Sequence, residues 1–69
     1  MRITCIDVAA CEQVLDVLQR QGITRGVSWE GGSPLDERFW VFVNAPIAPE
    51  KEAAILRDIE AIAGATVRD

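Results

Sequence analysis

The residues able to do chemistry in this chain are few. Cys5 and Cys11 are its two cysteines, and there is no histidine and no tyrosine. Without histidine, both the commonest general base and the commonest metal ligand are missing. A tetrahedral metal site would need two ligands beyond the cysteines, and their spacing is not Cys-x-x-Cys. Each cysteine falls on the apolar side of its segment, where a free thiol behaves as a small hydrophobe. Asp36 and Glu37 are adjacent at the foot of a strand-like stretch, so their side chains point apart, whereas an acid–base pair must converge. A serine or cysteine nucleophile has no evident base beside it. Gly31-Gly32 sits in a strand-to-strand turn and not at a helix N-terminus, where a phosphate cradle would lie. These residues point away from an enzyme. No catalytic residue, metal or cofactor is expected.

The totals narrow the class further. Sixty-nine residues make one domain, taken as residues 1–69, and 49% apolar content suffices for a core. A chain this short buries only ~60% of its extended surface on folding, so association is a natural source of further stability. Seven basic residues face eleven acidic ones, a net charge of −4, and Lys51 is the sole lysine. That balance disfavours direct nucleic-acid binding, which relies on cations neutralising phosphates. No apolar run approaches the ~20 residues that cross a bilayer. Arg2 is followed by alternation and not by the apolar core of a secretory signal. The expectation is a soluble, cytoplasmic protein without membrane contact, in which a disulfide is not expected.

The elements follow from hydrophobic period. Arg2 to Val8 reads as a strand, with Ile3 and Cys5 on one side and Thr4, Ile6 and Val8 on the other. Ala9 to Gln21 reads as a helix, because Cys11, Val14, Leu15 and Leu18 recur at helical spacing. Gly22-Ile23 is the signature of a left-handed helix stop. Ile23 to Glu30 reads as an edge strand with Trp29 near its end, and Gly31-Gly32-Ser33-Pro34 as a long hairpin loop. Arg38 to Asn44 is the most concentrated apolar run, with apolar side chains at odd and even positions alike. Pro49 opens a second helix, with Glu50 and Glu52 favourable in its first turn. Ile55, Leu56, Ile59, Ile62 and Ala63 form its inner face, Gly64 ends it, and Ala65 to Arg68 is a last strand.

The order β-α-β-β-α-β, with right-handed crossovers, predicts an α+β ferredoxin-like plait: a four-stranded antiparallel sheet of order 4-1-3-2, helices on one face. The first and third strands are then central and apolar on both sides. Branched aliphatics suit the interdigitated core, so Phe39, Val41 and Val43 are expected beneath the helices. Trp40 and Phe42 are then expected on the uncovered face, joined by Arg38, Asn44, Thr4, Ile6, Thr24, Ser28 and Arg68. Such an apolar patch on a small protein marks an interface.

Asp7, the Val14-Leu15-Val17-Leu18 spacing and Gly22-Ile23 resemble the opening of an ACT domain, a ferredoxin-like regulatory module. Ile59 through Val67 resembles that family's helix-Gly-strand close. Val8-Ala9 stands where the family has the Pro-Gly that lets a small ligand approach the backbone. The resemblance implies fold and pairing of modules. Trp29-Glu30-Gly31 followed by Asp36-Glu37 also resembles the hairpin of trimeric divalent-cation tolerance proteins.

These readings converge on a non-catalytic protein-interaction or regulatory module. Its partner is another protein or a second copy, met through Trp40, Phe42, Ile6, Thr4 and the Trp29 hairpin. Two alternatives are a small acidic inhibitor, of mobile-element or phage type, that blocks a basic nucleic-acid-binding protein, and an ACT-like small-ligand sensor.

Overall fold

The computed structural model describes residues 1–32 and 38–68. The elements are β1 (Arg2–Cys5), α1 (Val8–Arg20), β2 (Val27–Glu30), β3 (Phe39–Val43), α2 (Pro49–Glu60) and β4 (Ala65–Val67). The strands form one antiparallel sheet of order β2-β3-β1-β4. Read from the β4 edge, this is 4-1-3-2. The chain is therefore an α+β domain with β1 and β3 at the centre of the sheet.

Register assigns the faces. Ile3 lies opposite Val41 and Val67, Cys5 opposite Phe39 and Ala65, and Val27 opposite Val43. Residues opposite one another across strands share a face. This face meets Ala10, Cys11, Val14 and Leu18 of α1 and Ile55 and Ile59 of α2 in a single apolar core. The parity expected for β3 holds: Val41 and Val43 are buried inside, and Trp40 and Phe42 lie on the other face. Leu15, Phe39 and Ile62 pack against the core while half-buried.

The ends of the elements depart from the expected spans for local reasons. The first strand stops at Cys5 and not at Val8, because Asp7 is the N-cap of α1 and its side chain accepts a 2.8 Å hydrogen bond from the Ala10 amide. Ile6 and Val8 thus leave the strand, and Val8 becomes the first helical residue. At the other end of α1 the Gly22 amide donates to Gln19 and the Ile23 amide to Leu18, the paired bonds of a Schellman stop. Gly22 has φ 79° and Gly26 φ 71°, and the irregular stretch between them delays β2 until Val27. Thr24 is therefore outside the sheet, as are Arg38 and Asn44 at the two ends of β3.

Pro49 is at the start of α2, with Glu50 and Glu52 in the first turn. The helix ends at Glu60, so Ile62 reaches the core from the following turn, and Ala63 is exposed and not part of the inner face. The hairpin residues Ser33, Pro34, Leu35, Asp36 and Glu37 lie outside the described residues.

Gly64 turns the chain from α2 into β4 with φ 86°. Its carbonyl accepts from the Ile6 amide at 3.0 Å, and a methyl placed on it would fall 2.5 Å from Ile6 Cγ1. Gly64→Ala should therefore lower stability by ~1–3 kcal/mol through left-handed strain and crowding. A Gly64→Ala/Ile6→Ala double variant should recover only the crowding part. Urea midpoints of the three proteins check this.

Candidate functional site

The open sheet face is built by alternation. Phe42 lies opposite Arg2 and Ser28, and Trp40 opposite Thr4 and Glu30. Standing two apart on one strand, the Trp40 and Phe42 rings project to the same side. They are stacked, with centroids 6.0 Å apart and planes inclined by 7°. That separation lies within the range in which aromatic pairs attract beyond their area burial. Together with Arg2 and Glu30 they line a shallow depression of about 190 Å³.

Beneath this surface runs a short polar network. Arg68 Nε donates to Thr4 Oγ1 at 3.2 Å, and the same hydroxyl donates to the Thr66 carbonyl at 3.4 Å. Thr4 is only 4% exposed. It braces the floor of the face and offers a partner almost no surface.

The residues expected at the interface therefore divide. Trp40, Phe42 and Thr4 are brought together. Ile6 is 68% exposed but sits beyond β1, against Gly64. Trp29 lies opposite Val41, so it belongs to the helix-side face, not to the Trp40 face. It is nevertheless 56% exposed, because it stands at the rim of the sheet outside the packed core, to which Val27 is the β2 contribution. Arg2, Glu30 and Thr66 complete the open face. Parity could have found them, since Arg2 is two positions from Thr4 and Glu30 two from Ser28. The neighbour relations needed the register.

Charge is unevenly distributed over the two layers. α1 and α2 carry exposed Glu12, Asp16, Glu50, Glu52, Asp58 and Glu60 against exposed Arg20, Lys51 and Arg57, an excess of three acids, whereas Arg2, Arg68 and Glu30 lie on the sheet side. A groove of about 390 Å³ between the helices is lined by Gln13, Asp16, Arg20 and Asp58. Asp16 and Arg20 pair there at 2.5 Å on well-exposed side chains, an arrangement worth at most ~0.5 kcal/mol.

The two thiols lie inside. Cys5 is fully buried and Cys11 is 4% exposed. Burial pushes the Cys5 thiol up to about 11, aided by Cys11 and by the Asp7 carboxylate. Burial also raises Cys11, while a hydrogen bond from Cys5 works the other way. Among the described residues, no group of three or more potential ligands converges as a metal site. No described helix is long and apolar enough to cross a membrane.

No family model matches the chain, and no curated protein or solved structure matches it significantly. What the ACT resemblance shares with the structure is the element order and the antiparallel sheet.

The raised Cys5 thiol links stability to pH. The unfolded chain loses this proton near pH 9 and the folded chain near pH 11, so between those values the folded state holds more protons. Stability should fall as pH rises through that window, with a slope of at most ~1.4 kcal/mol per pH unit for one such group. Urea unfolding at intervals from pH 8 to 11 should show the decline, and Cys5→Ala should flatten it whatever its effect on stability at pH 8. An unchanged slope in the variant would assign the decline to other groups.

Proposed function

We propose that this chain is a ferredoxin-like, non-catalytic interaction module that docks a protein on its open sheet face, a second copy of itself foremost. The observation carrying this reading is the stacked Trp40–Phe42 pair, held on the side of the sheet that no helix covers. A small domain has little reason to hold two aromatics there unless something covers them, and large aromatics are favoured anchors at protein interfaces. The braced floor formed by Thr4, Arg68 and Thr66 fixes the surface before any partner arrives, which lowers the ordering cost of docking.

Magnitudes favour reversible association. Burying ~300 Å² of apolar surface on each of two protomers removes ~600 Å² in all, which contributes on the order of 15 kcal/mol at ~25 cal/mol per Å². Lost translational and rotational freedom takes up a large part of that. The pairing is thus expected in the micromolar range.

A second reading has its own support. The acidic side chains of α1 and α2 form an exposed layer suited to a basic, nucleic-acid-binding protein. Its signature is binding that weakens as salt rises and survives loss of Trp40.

Sedimentation velocity across a micromolar concentration series separates the two readings. The wild type should shift from monomer to dimer, and Trp40→Ala or Phe42→Glu should hold it monomeric. Trp29→Ala, on the opposite face, should leave the shift intact. A wild type that remains monomeric at several hundred micromolar rules out self-pairing.

A further inference from the structure

The two thiols have no part in the open face, yet the fold brings them together. β1 ends at Cys5, and Cys11 lies in the first turn of α1. Asp7 caps that helix and folds the chain back, so both side chains enter the layer between sheet and helix. There they lie near enough for each thiol to influence the titration of the other. No disulfide joins them.

We infer that Cys5 and Cys11 are a latent disulfide site, closed by a low-molecular-weight disulfide such as oxidised glutathione to tie β1 to the start of α1. Cys11 is the attacking group. It keeps 4% of its surface exposed against none for Cys5, and it sits in the first turn of α1, the end of the helix that opens most readily. Cys11 gives up its proton, and its sulfur attacks one sulfur of the glutathione disulfide. That S–S bond breaks and one glutathione thiolate leaves. Cys5, deprotonated in turn, attacks the Cys11 sulfur of the mixed disulfide. The Cys5–Cys11 bond forms and the second glutathione thiolate leaves. The protein loses two electrons and two protons, and one glutathione disulfide becomes two glutathione thiols.

The reaction requires the first turn of α1 to open, since both sulfurs are covered. Helix ends are the parts of a fold that open at low cost. The segment between the cysteines is also exposed, with Ile6, Asp7, Val8 and Ala9 all facing solvent. Burial makes both thiols weak acids, so closure should accelerate as pH rises from 7 to 9.

The folded protein is incubated with oxidised glutathione without denaturant, and intact mass and free thiols are followed. The wild type should lose ~2 Da, the two hydrogens of a disulfide, with both thiols consumed and no lasting adduct. Cys5→Ser should stop at a stable glutathione adduct on Cys11, and Cys11→Ser should react far more slowly than Cys5→Ser. The oxidised wild type should unfold at higher urea than the reduced form, and dithiothreitol should reverse both changes. The inference fails if the wild type keeps both thiols while an unfolded control in urea oxidises. It fails equally if the wild type stops as a glutathione adduct or crosslinks between chains. These readouts on the wild type decide the matter even if a serine variant does not fold.

Discussion

The register between the two central strands governs the rest of the molecule. Ile3 meets Val41 and Thr4 meets Trp40. A slip of one residue would turn Trp40 and Phe42 under the helices and push Val41 and Val43 into solvent, because side chains alternate with a period of two. The apolar core beneath the helices and the aromatic pair outside are thus two results of one alignment. It is held at its end by Met1, whose amino group donates to the Val43 carbonyl while its own carbonyl accepts from the Val43 amide. The chain therefore has one way to bury its branched aliphatics, and that way displays Trp40 and Phe42.

The β1–α1 junction is the second organising point. Asp7 ends β1, caps α1 and sends Ile6 over Gly64 in a single turn. The tight turn also places Cys5 and Cys11 side by side under the sheet. Local chain geometry thus accounts for the exposure of Ile6 and the burial of the thiols alike. It also explains why residues that parity assigns to one surface end in different environments.

Much of this was legible in the sequence, and the limits have physical causes. Helical spacing located α1 and α2, and Gly22-Ile23 marked the stop of α1, because these signals come from neighbours along the chain. Apolar residues at both parities marked β1 and β3 as central. Strand ends were less legible: Asp7 can end a strand or cap a helix, and only the Ala10 hydrogen bond decides. Alternation puts Trp29 on the opposite side of β2 from Ser28, but its exposure depends on how far the helices reach across the sheet. Alternation puts Thr4 on the open side, while the hydrogen bond that holds its hydroxyl comes from Arg68, sixty-four residues away in the chain. Such properties belong to pairings of high sequence separation, and no local pattern encodes them.

The helical layer is displaced toward β4, and this makes the two margins of the sheet unequal. α2 packs against β4, whereas β2 is secured along one side by β3 and reaches the core beneath the helices through Val27. As an edge strand, β2 should trade its amide hydrogens with water through openings that leave the β1–β3 centre closed. Detachment of β2 bares the outer rim of β3, the strand that bears the stacked aromatics. The β2 margin of this domain thus borders the surface proposed for recognition.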